Sequence, residues 1–302
     1  MPLAPLRLLV PLIFGLVLAA RLSATTSGAD FLLLEPAARA AAAGGAFAAA
    51  SKQTECLRYN PAGIAGLGGL SASVAHLSAA GDWSHEWAAL VGQAGPVDLG
   101  LELLVSSMTP FELYDISGRD IGTAVVGSQN AMAALAFPVL GWLDVGVGLR
   151  LFRSQLHTFT SEGIAVDLGL QARQPTWPVA YGIALQNLGT ESAYFLTPDP
   201  LPLSLRAGLE GRAQLDRDFL LRPRGDLLYF LDKSRPLELR AGVEAEFYRQ
   251  AFLRAGILRA GTYQQLSLGA GFRWENLSVD YAFEPGNELG NSQMIELQIA
   301  SH

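Results

Sequence analysis

From Val97 to Ser106 the chain alternates apolar and polar residues. Val97, Leu99, Leu101, Leu103 and Val105 share one face, and Asp98, Gly100, Glu102 and Ser106 share the other, with Leu104 the single apolar residue on the polar side. The pattern returns at 143–151, where Leu143, Val145, Val147, Leu149 and Leu151 oppose Asp144, Gly146, Gly148 and Arg150. It returns again at 164–173, where Ile164, Val166, Leu168 and Leu170 oppose Asp167, Gly169, Gln171 and Arg173. A period of two sustained over such segments is the pattern of a transmembrane β-barrel. A strand tilted across a hydrocarbon core needs about 9–11 residues, against about 5–6 for an average strand in a soluble protein.

Fourteen strands follow from this pattern, near 70–79, 84–93, 97–106, 129–138, 143–153, 163–173, 179–187, 203–213, 219–231, 237–247, 251–259, 264–274, 276–284 and 292–300. The number is even, as bacterial single-chain barrels require. Pro223 and Gly225 predict a bend or bulge in the 219–231 strand. The 129–138 strand is Ala-rich and open to a shift. One set of connections is uniformly short, among them Ala94-Gly95-Pro96, Leu140-Gly141-Trp142 and Glu275. The other holds the long segments Ser107–Ser128 and Leu188–Pro202. Short turns are periplasmic in such barrels. This orientation places both termini and the Ser27–Gly69 segment in the periplasm or in the lower mouth.

Polarity decides which face meets lipid. Leu237, Leu239, Ala241, Val243, Ala245 and Phe247 make a continuous apolar face that a soluble protein would expose as an aggregation surface. The opposite face carries the charges: Asp98, Glu102, Asp144, Arg150, Asp167, Arg206, Glu238, Arg240 and Glu244 are expected to face the lumen. Trp142, Tyr181, Tyr229, Phe247, Trp274 and Tyr281 near strand ends are candidates for interfacial girdles.

Before the barrel, Arg7 and the apolar run Leu8–Ala20 read as a secretory signal spanning 1–24, cleaved after Ala24 despite Leu22 at the −3 position. An uncleaved anchor helix is the alternative, but the run is short for one. Residues 25–69 form an Ala- and Gly-rich motif segment, and 70–302 the barrel. Small residues from Ala40 to Gly45 permit close backbone packing. Arg39 can pair with a lumen carboxylate such as Glu244 or Asp167, and Asn60-Pro61-Ala62-Gly63 is a turn that steers the chain into the first strand. The segment is therefore read as a plug, with a surface helix below the barrel as the alternative.

Charged residues are 16% of the chain, below the ~25% of soluble domains, and the net charge of −7 leaves no basic footprint for nucleic acid. The single cysteine, Cys56, excludes an internal disulfide; it lacks a lipoprotein-type context and reads as a small buried residue. No nucleophile motif, phosphate loop or metal-ligand cluster occurs, so no cofactor, metal site or enzymatic activity is expected. His76 and His85 approach each other across the first hairpin but lack a third ligand. Glu238, Glu244 and Glu246 at i, i+2 spacing line one lumen wall rather than form an acid–base pair. Asn276-Leu277-Ser278 is a chance glycosylation match in a tight turn.

Ser27-Gly28-Ala29-Asp30-Phe31-Leu32, Ala38-Arg39-Ala40, Gly44-Gly45-Ala46-Phe47 and Asn60-Pro61-Ala62-Gly63-Ile64-Ala65 resemble the PorV/PorQ family of outer-membrane proteins, related to the FadL-type transporters of hydrophobic compounds. Val279-Asp280-Tyr281-Ala282-Phe283 and Leu289-Gly290-Asn291-Ser292 are similar to its closing strand pair. The two ends cover roughly a quarter of the chain. Cys56, where the family has a small residue, and the non-aromatic end Ile299-Ala300-Ser301-His302 depart from the pattern. The resemblance implies a FadL-like fourteen-stranded barrel in the bacterial outer membrane, in contact with its lipid. It also implies a role in envelope transport or type IX-like secretion, with cargo or machinery proteins at the extracellular loops. The alternative is a FadL-like passive channel for small hydrophobic ligands, which needs an apolar interior pocket and a lateral opening. Phe111, Leu113, Tyr114, Tyr194 and Phe195 on the long loops suit either lipid capture or protein docking.

Overall fold

The computed structural model describes residues 29–79, 81–174, 176–194, 199–231, 235–286 and 290–301. The leader with its cleavage site, Phe195, Leu289 and His302 lie outside them. The strands are β1 (Leu70–Ala79), β2 (Trp83–Ala94), β3 (Val97–Met108), β4 (Phe111–Tyr114), β5 (Asp120–Ala124), β6 (Val126–Leu140), β7 (Leu143–Leu156), β8 (Phe159–Ala172) and β9 (Val179–Glu191). They continue as β10 (Ser204–Gly211), β11 (Ala213–Asp216), β12 (Phe219–Phe230), β13 (Glu238–Phe247), β14 (Ala251–Ala260), β15 (Tyr263–Trp274), β16 (Leu277–Glu284) and β17 (Ser292–Ser301). All neighbours in the main sheet are antiparallel. β1 pairs with β17, and β10 pairs with both β9 and β12, so the sheet closes on itself. β10 and β11 are two parts of one wall strand, which makes a closed barrel of 14 strands.

The alternation sets the faces. Leu99, Leu101 and Leu103 are 50%, 56% and 58% exposed on the outside, while Asp98 and Glu102 on the same strand are 1% exposed inside. The same division holds along β7, where Leu149 and Leu151 are exposed and Asp144 and Arg150 buried. The barrel is thus apolar outside and polar inside, the reverse of a soluble barrel. Among the described residues no helix is long and apolar enough to cross a membrane.

Three sequence expectations change. The Ser107–Ser128 connection is not all loop: β3 runs on to Met108, β6 starts at Val126, and β4 and β5 form a separate two-stranded sheet between them. Pro223 does not bulge its own strand, because β12 keeps an unbroken register with β13 from Phe219 to Leu228. The interruption falls on the other neighbour, at Arg212 between β10 and β11, where Pro223 has no N–H to offer. His76 and His85 do not meet: opposite partners across the hairpin are His76↔Glu86 and Leu77↔His85, so the two imidazoles point to opposite faces.

In a lipid bilayer, Leu101→Arg is expected to lower unfolding stability by about 2–4 kcal/mol, because its outward side chain lies mid-strand. Leu101→Ala should cost far less, since the side chain is 56% exposed and the substitution adds no charge. Equilibrium urea unfolding in vesicles compares them; equal losses would mean that this face does not meet lipid.

Candidate functional site: a filled lumen with a break in its wall

The N-terminal segment runs inside the barrel. From Ala37 to Ala50 every residue is buried, and so is every residue from Thr54 to Ala65. Short helices at Ala38–Ala42 and Cys56–Tyr59 and a 3-10 turn at Pro61–Ile64 punctuate it. Close approach needs small residues on both sides, and the wall supplies them. A Cβ at Gly256 would overlap the Gly44 backbone, at Gly242 the Ala43 carbonyl, at Gly182 the Ala48 carbonyl and at Gly146 the Pro61–Ala62 backbone. Gly44 and Gly45 both have φ +67°, so the chain reverses there as L side chains rarely allow. Gly63 is needed for space: a Cβ would lie 2.7 Å from the Ala50 oxygen and 2.8 Å from Cys56 Cβ.

Backbone polar groups in a filled lumen must find partners. Asp226 accepts the Phe47 and Ala48 N–H groups, each at 2.9 Å. The Gln171 amide donates to the Ala49 and Ala50 carbonyls at 2.7 and 3.1 Å. Asn60 donates to Ala48 O at 2.8 Å and Leu170 O at 3.0 Å, and its Oδ1 accepts the Ala62 N–H at 3.1 Å, capping the turn that starts at Pro61. Ser267 accepts the Gly44 N–H at 3.1 Å, and Asp98 accepts the Gly66 N–H at 2.6 Å. The Cys56 thiol donates to Ala50 O at 3.3 Å; burial pushes its pKa well up, which leaves it protonated and unreactive.

Charge pairs tie the segment to the wall. Arg39 lies 3.1 Å from Glu244, which also takes Arg254 at 2.6 Å and Arg222 at 2.8 Å. Asp167, the other carboxylate considered for Arg39, instead pairs with Arg150 at 2.7 Å. Arg58 pairs with Glu102 at 2.7 Å and donates to Leu34 O at 2.6 Å. Arg206 reaches Asp226 at 3.3 Å and Gly45 O at 2.9 Å. Arg240 pairs with Glu238 at 2.6 Å and with Glu35. Asp144 holds Arg173 at 2.7 Å, and Arg173 donates onward to Ala65 O at 2.5 Å. Sequence reasoning missed Glu35, Arg58, Asp226, Arg224 and Arg254. The last three follow the same alternation as the charges it found; Glu35 and Arg58 lie in the motif segment, where no period marks them.

The segment also begins at an unexpected end. Asp30 pairs with Arg235, which lies in the β12–β13 connection on the long-loop side. Residues 29–35 therefore occupy the upper lumen and not the lower mouth. Beside them the wall loses its ladder. Asn187 takes a left-handed conformation, φ 62°, and the β8–β9 register shifts between Val166 and Leu168. The Asn187 N–H donates to Asp167 at 2.7 Å, and its side chain donates to Pro202 O at 3.1 Å. β10 begins only opposite Gln186, so β9 above Asn187 pairs with β8 alone. Leu32, Phe152, Ala165 and Leu201 make a buried apolar cluster there, with Phe31 packed against it and its ring 5.6 Å from Phe152.

Glu244→Gln is expected to destabilise the barrel by about 3–5 kcal/mol, because it leaves buried guanidinium groups without their shared carboxylate. Thermal unfolding in detergent micelles reads the change; a loss no larger than that of a surface substitution would remove Glu244 as the anchor of the segment.

No protein-family model matches the chain, and no curated protein matches it. Solved structures do. The toluene transporter TbuX of Ralstonia pickettii is 16% identical with a TM-score of 0.62, covering 89% of this chain and 98% of that one. The toluene transporter TodX of P. putida is 13% identical with a TM-score of 0.63, over 87% and 98% of the two chains. A Pseudomonas aeruginosa FadL homologue is 12% identical with a TM-score of 0.52, over 86% and 96%. The fold of this chain is that of the FadL-like outer-membrane barrels.

Proposed function

We propose that the chain is a bacterial outer-membrane barrel, exported by its leader, that passes small hydrophobic molecules passively. The N-terminal segment plugs the lumen against ions and water. The apolar cluster at Leu32, Phe152 and Leu201 receives the solute, and the ladder break above Asn187 gives it a sideways path into the hydrocarbon layer. The observation that carries this reading is the break itself, where among the described residues no main-chain pairing joins β9 above Asn187 to the β10 side and apolar side chains lie behind. Similar solved barrels are described as toluene transporters and a monoaromatic hydrocarbon channel, which supports the same solute class. No enzymatic step belongs to this reading.

The PorV/PorQ-type reading, with cargo or secretion machinery at the long loops, has the motif resemblance of the two chain ends in its favour. The exposed Phe111 and Tyr114 of the β4–β5 hairpin suit such docking. The comparisons favour the channel.

Cells lacking aromatic-hydrocarbon channels should take up labelled toluene faster when they make this protein. Uptake no faster than in the parent cells would reject the transport reading. In planar bilayers the intact chain should stay closed to ions, and deletion of 27–58 should open large conductance steps. A correctly folded deletion with an unchanged, closed trace would sink the plug.

A further inference from the structure

Buried carboxylates without an ion pair among the described residues, such as Glu55, Glu296 and Asp98, are spread through the lumen, but the lumen cations without one gather in one place. At the short-turn end of the barrel lies a cavity of about 640 Å³. Its lining holds six cationic residues and three acidic ones, although the chain as a whole carries −7. Two of those carboxylates are already engaged: Asp144 by Arg173 at 2.7 Å and Glu210 by Arg224 at 2.7 Å. Among the described residues Lys52, Arg212 and Arg273 have no ion-pair partner. The third carboxylate, Glu275, has none either, so the cations still outnumber it.

Main-chain bonds fix the backbone at Lys52 and Arg212, and a ring contact places Arg273, with none of the three charges taken up by a carboxylate. Lys52 sits at φ 59°, its N–H donating to Gly63 O at 2.7 Å, so backbone strain is kept at a residue whose ammonium faces the cavity. Partial burial and the charge of Arg173 lower that ammonium's pKa from its ordinary value. Arg212 occupies the interruption between β10 and β11, with its N–H bonded to Pro178 O at 2.8 Å. Arg273 lies over the Phe252 ring at 4.8 Å, and its guanidinium donates to the Ser278 hydroxyl at 3.4 Å. Apolar side chains also line the cavity, among them Leu67, Leu140 and Trp177.

We propose that this cavity binds a compact organic anion, drawn by the charges of Lys52, Arg212 and Arg273, with its apolar body against Leu67, Leu140 and Trp177. Three cations without ion-pair partners around one open cavity favour an anion that brings its own charge. The apolar lining favours a carbon body over a bare inorganic ion. The site goes beyond the transport reading and is independent of it, since it needs neither an open lumen nor the break at Asn187.

Isothermal titration of the full-length mature chain in micelles tests it, with benzoate and inorganic phosphate as probes. Saturable benzoate binding, tighter than phosphate binding, is expected. Arg212→Gln or Arg273→Gln should each weaken it about ten-fold, the size of one lost charged hydrogen bond. Lys52→Gly, which relieves the left-handed backbone, should weaken it without loss of melting temperature. Arg249→Gln, in the β13–β14 turn outside the cavity, should leave it unchanged. No saturable benzoate binding, phosphate binding as tight as benzoate, or benzoate binding that survives the Arg212→Gln/Arg273→Gln double variant overturns the assignment. So does a complex with poly-glutamate in the absence of benzoate binding, which would give this mouth to an acidic protein partner. Toluene uptake does not enter the measurement, so failure here and failure of the transport reading are distinguishable.

Discussion

A barrel that turns its apolar side chains outward has to keep its charges inside, and an unpaired charge out of water costs several kcal/mol. The rest of this structure follows from that constraint. Glu244 and Glu102 are almost wholly buried, and each meets guanidinium groups both from the wall and from the N-terminal segment. The segment is therefore a structural partner of the wall. Arg39 and Arg58 complete carboxylates on β13 and β3, and wall residues such as Asp226 and Gln171 satisfy the segment's own backbone. Neither part is polar-satisfied without the other.

Space imposes the second condition. The charged side chains occupy part of the lumen, so the segment fits only where wall and chain both give up their side chains. Gly256 faces Gly44, Gly242 faces Ala43, and Gly182 faces Ala48. Glycine costs strand stability, and its placement on the inward register of β9, β13 and β14 is explained by this packing.

The strands were legible because period two is a direct consequence of a two-faced wall: Asp98, Asp144 and Asp167 mark inward positions, and the leucines between them mark outward ones. The pairing of Arg39 with Glu244 was legible as one of two choices, since only charge and residue type entered the reading. Geometry chose between them, because Asp167 is committed to Arg150 and to the Asn187 N–H. What the sequence hid depends on contacts distant in the chain. Pro223 reads as a fault in its own strand, yet the wall accommodates it by interrupting the neighbouring strand at Arg212. Asn187 looks like an ordinary polar strand end, and only the pairing of β8, β9 and β10 shows that the ladder stops there. Arg58 and Glu35 sit in a segment without periodicity, so no face could be assigned to them.

These features give the lumen a polarity along its axis. The upper part, near the long loops, holds Phe31, Leu32, Phe152 and Leu201 beside a stretch where, among the described residues, β9 is paired with β8 alone. The middle is closed by matched charges and by backbone packed on glycine. The lower mouth is open and carries unmatched cations. For a neutral apolar solute in the upper part, crossing the middle would require it to part buried ion pairs without replacing them. The proposed sideways route above Asn187 avoids that cost, because among the described residues no main-chain bond between β9 and β10 has to break there. The same charge layer isolates the lower mouth from the upper cluster, so the two ends of one barrel can serve solutes of opposite character.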